Sequence, residues 1–239
     1  MPKLPAWSRT LSFACCLLPL ACGGSATPDA KVADGAPDVE QERASGVSAS
    51  SEIGGLNEDE VDAAFSSSVK GLQTCLDKGA QRVEFLGGSV SFFLKIDTSG
   101  KVDHAHLERS TLGDRVTEKC MLEALRRKDW PKPVGGDHGL ARKSFDFDPP
   151  NDVREPAPWS QEDAEPGLKE VSEELTKCKD GKGSFQATLY VGTEGNVLAA
   201  GVTPPDEDGE GAVDCLVGVL ESAKFPSPGS WPAKVTLEL

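Results

Sequence analysis

Gly88-Ser89-Val90-Ser91-Phe92-Phe93-Leu94-Lys95-Ile96-Asp97-Thr98-Ser99-Gly100-Lys101-Val102 and Gly183-Ser184-Phe185-Gln186-Ala187-Thr188-Leu189-Tyr190-Val191-Gly192-Thr193-Glu194-Gly195-Asn196-Val197 are one pattern written twice, 95 residues apart. In the first, Val90, Phe92, Leu94 and Ile96 alternate as in a half-buried strand. Asp97-Thr98-Ser99-Gly100 supplies turn chemistry, and a return strand follows from Lys101. The same offset relates Cys120 to Cys215 and Trp130-Pro131 to Phe225-Pro226. An offset shared by a hairpin, a cysteine and an aromatic-proline pair reads as an internal repeat. Beyond the prolines, pairing Phe145 with Val235 and Phe147 with Leu237 needs five fewer residues in the second copy, read as a shorter loop.

Working outward from the hairpin, Asn57 before Glu58-Asp59-Glu60 is a helix-start signature, with Val61, Phe65, Leu72 and Leu76 on one stripe and Cys75 beside it. Val116, Cys120 and Ala124, with Met121 and Leu125, predict a second amphipathic helix, and Phe145 and Phe147 a short closing strand. The order predicts an α+β fold of two tandem α-β-β-α-β modules. Each is expected to be a small three-stranded sheet covered by two helices on one face. The copies are placed at residues 57–148 and 168–239. Residues 22–56 lack any aromatic and are expected to be a disordered acidic leash. Residues 149–167, with five prolines and five acids, are expected to be an extended linker.

Residues 1–21 have a basic start, an apolar run from Leu11 to Leu20 and a small residue before Cys22. They predict a secretion signal, too short to span a bilayer as a helix. Leu18-Pro19-Leu20-Ala21-Cys22 resembles a bacterial lipobox, which implies acylation of Cys22, an outer-membrane lipoprotein and display on the periplasmic or surface face. With Cys15 and Cys16 removed and Cys22 as the membrane anchor, Cys75, Cys120, Cys178 and Cys215 remain. An even set in an exported chain reads as disulfides. Corresponding positions in the two copies select Cys75 with Cys120 and Cys178 with Cys215 among the three pairings. A redox or metal-binding thiol set would need a CxxC spacing, which these four lack.

The order of residues in the first copy resembles the AgmX/PglI C-terminal domain of bacterial cell-envelope proteins, a relative of the TonB C-terminal fold. The resemblance rests on Leu56 to Val61, Cys75, Gly88, Ile96 to Val102, Ser110-Thr111-Leu112-Gly113-Asp114, Cys120, Trp130-Pro131 and Phe145-Asp146-Phe147. The second copy shares the cysteines, the turn and Phe225-Pro226. The family implies an envelope-associated structural or interaction module and brings no catalytic residues.

A formal net charge of -14 argues against electrostatic nucleic-acid binding, which needs clustered Lys and Arg to displace counterions. No GxSxG, HExxH, P-loop or Cys-His nucleophile pattern is written in the chain, so neither an enzyme nor a cofactor is expected. His104 and His106 share one strand face, and with the loop near His138 they define the alternative of a periplasmic ligand- or metal-binding protein. Ala105 and Leu107 are the residues that align with apolar Ala200 and Val202, so the histidines, whose partners in the second copy are Ala199 and Gly201, point away from the core onto what is expected to be an exposed polar face. Asp206-Glu207-Asp208-Gly209-Glu210 has the composition of a calcium loop but not its register, and reads as a solvated acidic loop. The first copy is nearly neutral and carries Phe93 on the face opposite Val90 and Phe92. It is the expected contact surface for an envelope protein partner, which would add a strand at a sheet edge unless the copies pair there with each other.

Overall fold

Asp97 organises the first hairpin. Its Oδ1 accepts hydrogen bonds from the backbone N–H of Ser99 at 2.8 Å, the Ser99 hydroxyl at 2.6 Å and the N–H of Lys101 at 2.9 Å. The Asp97 carbonyl accepts from the Gly100 N–H at 3.0 Å. This is the local side-chain bonding that makes Asp a turn residue. Gly100 has φ +85°, and a β carbon there would lie 2.5 Å from the Trp130 carbonyl oxygen. The close approach exists because the Trp130 N–H donates to the Gly100 carbonyl at 2.8 Å. Gly195 at the second hairpin has φ +76°, and the Phe225 N–H donates to its carbonyl at 2.9 Å. Each hairpin tip therefore catches the segment that carries the aromatic-proline pair.

The computed structural model describes residues 53–150 and 152–239. The signal at 1–21, the acylation at Cys22 and most of the leash lie outside the described residues. In chain order the elements are β1 (Ile53–Gly54), α1 (Glu58–Ala80), β2 (Gly88–Asp97), β3 (Val102–Ser110), α2 (Arg115–Arg126) and β4 (His138–Phe147). There follow β5 (Ala157–Pro158), α3 (Gln161–Glu170), α4 (Ser172–Lys179), β6 (Gln186–Val191) and β7 (Val197–Thr203). A 3-10 turn (Glu207–Ala212), α5 (Val213–Ser222) and β8 (Ala233–Glu238) complete the chain.

The protein is mixed α+β, with two sheets ordered β1-β4-β2-β3 and β5-β8-β6-β7. Each sheet has four strands, against the three expected. The additional strands, β1 and β5, are two residues long and run parallel to β4 and β8. They come from segments expected to be leash and linker. Backbone pairing needs only unsatisfied edge groups, not an apolar pattern, which is why composition alone missed them. The linker also carries the start of α3. Ser160 and Asp163 form a capping box there, with the Ser160 N–H donating to Asp163 Oδ2 at 2.8 Å.

Strand register keeps the offset of 95 from Phe92 and Ala187 to the hairpin tips; only the first hairpin has a further shift, between Ser91 and Phe92. Leu94 pairs with Ala105 and Leu189 with Ala200, while Ile96 pairs with Val102 and Val191 with Val197. Both hairpins have a register shift just before that last pair. The closing strands correct the expectation. Leu94 pairs with Ala141 and Leu189 with Val235, so Val235 occupies the place of Ala141, and Leu237 that of Lys143. The second half is thus one residue shorter between its return strand and its last strand, not five. The closing strand β4 is ten residues long and begins at His138, in what read as loop.

Phe65, Leu72 and Leu76 of α1 pack on Val90, Phe92, Leu94 and Ile96, and the rings of Phe65 and Trp130 meet edge to face at 4.7 Å. In α2 the buried stripe is Thr117, Glu118, Met121, Leu122 and Leu125, while Val116 is exposed. The helix is rotated from its expected apolar face because a second surface, β7, lies against it. In the second half Leu175, Leu189, Val191, Leu216, Leu220 and Val235 form the core. All described residues belong to one compact unit.

Candidate functional site

Two disulfides tie helices within each half. Cys75 of α1 is bonded to Cys120 of α2, and Cys178 of α4 to Cys215 of α5, each pair with Cα atoms 5.7 Å apart. They close loops of 45 and 37 residues. These are cross-links in the framework beneath the surfaces described next.

The first sheet turns one face away from its helices. Phe93 on β2 lies there beside His106 on β3, ring centroids 4.8 Å apart, and the Arg142 guanidinium of β4 sits 4.6 Å over the Phe93 ring. Arg142 Nε also donates to Glu108 Oε1 at 2.7 Å. Ser91 and Ser144 bridge their hydroxyls at 2.7 Å in the next row. Around these residues runs an open groove of about 820 Å³, walled by Pro205, Asp206 and Glu207 of the second half.

His104 and His106 both lie on this face, as their spacing predicts, but the face is not free. His106 is only 6% exposed. His104 Nδ1 is 3.5 Å from Glu207 Oε1, and its Nε2 is 3.4 Å from Glu210 Oε2 and 3.2 Å from His106 Nδ1. Burial, helped by the neighbouring His104, holds His106 below the usual imidazole range against the pull of Glu210, Glu108 and Glu207. In Asp206-Glu207-Asp208-Gly209-Glu210, expected to be a solvated loop, Asp206, Glu207 and Asp208 are exposed, and the turn also brings the Glu207 and Glu210 carboxylates over His104. His138 is placed apart, with Nε2 3.3 Å from Asp103 Oδ2. Among the described residues no group of three or more His, Cys, Asp and Glu is arranged to hold a metal ion.

The corresponding face of the second sheet is buried against the first half. Tyr190 donates its hydroxyl to the Gly87 carbonyl at 3.1 Å, and Lys234 Nζ donates to the same oxygen at 2.7 Å. The Thr188 hydroxyl donates to the Ser110 carbonyl at 3.3 Å. Asp214 of α5 accepts from Arg115 Nε at 2.8 Å and from Lys119 Nζ at 2.7 Å. Ala199 packs in the first core, and Gly201 lies against Glu118. Ala199 and Gly201 stand where the first half has His104 and His106, and that small-residue substitution was the legible sign of a docked face.

With β3 facing the second half, the open edge of the first sheet is β4. The short β1 covers only His138 and Gly139, and among the described residues no strand is paired to the outer side of residues 140–147. Beside this edge a hollow of about 350 Å³ is lined by Leu56, Val61, Asp62, Leu140 and Arg142. Lys143 Nζ reaches across to Asp62 Oδ1 at 2.9 Å. No helix among the described residues is long and apolar enough to cross a membrane. Comparison with known families finds no matching family model, and no curated protein matches the chain significantly.

Proposed function

We propose that the chain is a non-enzymatic cell-envelope lipoprotein, exported by residues 1–21 and anchored in the outer membrane by an acylated Cys22. In this reading the body is a tandem pair of α-β-β-α-β modules of the AgmX/PglI C-terminal kind, supported by the hairpin register held at one offset and the equivalent bridges. It binds another envelope component by strand addition. The observation that carries this is the β4 edge, where residues 140–147 offer unpaired backbone groups beside a hollow lined by Leu56, Val61 and Leu140. An extended segment laid there would gain main-chain hydrogen bonds and place one apolar side chain in the hollow.

A photo-crosslinking residue placed at Ser144 on the edge, and separately at Val69 on the outer side of α1, tests the reading in cells. Both positions are exposed. One envelope protein captured from Ser144 and not from Val69 is the expected result. The same adducts at both positions, or none at Ser144, would overturn it. The anchor is tested separately: a Cys22→Ser variant is expected to leave the membrane fraction.

A further inference from the structure

The two halves close over a single carboxyl. Glu118, in the first turns of α2, is wholly buried. Its Oε1 accepts from the Ser110 hydroxyl at 2.6 Å, while Oε2 has no hydrogen-bond partner. Across the seam stands Gly201 of β7, where a β carbon would lie 2.6 Å from Oε1 and 2.9 Å from Oε2. Glycine leaves room for the carboxyl and supplies nothing to neutralise it.

The surrounding cations are engaged elsewhere. Arg115 and Lys119 of α2 bind Asp214 of α5, and Arg82, just past α1, binds Asp114. Toward Glu118, β3 presents the Ser110 hydroxyl, β6 presents Tyr190, and β7 has no titratable residue at all. Asp114 at the start of α2 adds negative charge nearby. An ionised Glu118 would therefore be a buried charge whose one attracting cation, Arg115, is already paired with Asp214, which a packed seam tolerates poorly.

We propose that Glu118 makes the seam a proton-controlled joint. With the proton on, the carboxyl seats against Gly201 and the halves close. With the proton off, the face of β6 and β7 is driven from α2 and β3 is uncovered. Burial pushes the Glu118 carboxyl up to about 7, against the pull of Ser110, Arg115 and the Gly113 amide, with Asp114 adding to the rise. Its ordinary value is 4.5. A group raised in the closed form favours closure fully below 4.5, loses that preference as pH rises to about 7, and changes nothing further above it. The joint does not depend on which component, if any, pairs with β4.

Amide hydrogen exchange on the full chain, corrected for intrinsic rates between pH 5 and 8, tests it. Protection of β6 and β7 relative to β2 is expected to fall on the order of a hundredfold as pH rises. In Glu118→Gln, which keeps the shape without the charge, the ratio is expected to stay flat. A constant ratio in the natural chain, or a slope retained in Glu118→Gln, overturns the proposal. Carbon-13 titration of the Glu118 carboxyl in the natural chain requires no variant to fold: a midpoint near 7 supports the joint, and one near 4.5 overturns it.

Discussion

Gly100 shows how a single position carries two constraints at once. Its positive φ belongs to the turn, and the 2.5 Å approach of a would-be β carbon to the Trp130 carbonyl belongs to the catch between hairpin and closing segment. Gly100→Ala therefore meets backbone strain and a clash with main chain that cannot swing aside. A loss of roughly 2 kcal/mol or more is expected in urea unfolding. The turn half of this was legible, because Asp-Thr-Ser-Gly writes its own geometry in neighbouring residues. Gly201 was not, because its reason is Glu118, 83 positions earlier and on another element. Tyr190, the chain's single tyrosine, is a similar case. It occupies a strand position that pattern alone would send to solvent, yet it is wholly buried with its hydroxyl on Gly87. Tyr190→Phe leaves the Gly87 carbonyl to Lys234 alone and is expected to cost about 1 kcal/mol, again by urea unfolding.

At the scale of elements, legibility follows how local the determining signal is. The hairpins and α1 were readable because caps and alternation lie within one or two turns of the structure they specify, whereas the bridge partners, 45 and 37 residues apart, were readable through the repeat. Strands β1 and β5 were not, since two residues of backbone pairing leave no side-chain pattern. The place of β8 was misread for a related reason: two aromatic-to-aliphatic matches suggested a register, whereas Ala141 and Val235 are the positions that pair with the equivalent residues Leu94 and Leu189. Phe145 lies only partly buried beside the core, so its aromatic character was a poor guide to equivalence. The disulfides work at this scale too. Each holds two helices over one sheet, and the chain-entropy model gives about 4 kcal/mol for loops of this length. Replacing Cys75 and Cys120 together by Ala is expected to lower unfolding stability by up to about that amount. Far-ultraviolet circular dichroism against urea reads the loss, and a variant as stable as the natural chain would show that the bridge does not restrain the unfolded state.

For the whole molecule, the decisive fact is that one sheet is covered on both faces, while the other keeps part of one face as an open groove. The second sheet lost its open face by docking, so it has little left to offer a partner; the first keeps a groove and the β4 edge. The docking uses charged groups in opposed senses. Ionisation of Glu118 weakens the folded state as pH climbs from 4.5 to about 7. Lys234 does the reverse: burial lowers its ammonium to about 8 from an ordinary 10.5, with Glu155 pulling the other way. A base whose folded value is depressed costs stability while it is charged and buried, and that cost is relieved as pH rises from about 8 toward 10.5. His106, held below its ordinary 6.5, adds a smaller gain on approach to that value and partly masks the Glu118 limb. The melting temperature of the full chain is therefore expected to fall toward neutrality, pass through a shallow minimum between about 7 and 8, and recover in mild alkali. Lys234→Gln, which can still donate to the Gly87 carbonyl, is expected to keep the fall and lose the recovery. Recovery that persists in Lys234→Gln would place the alkaline gain on another lysine and detach it from the seam.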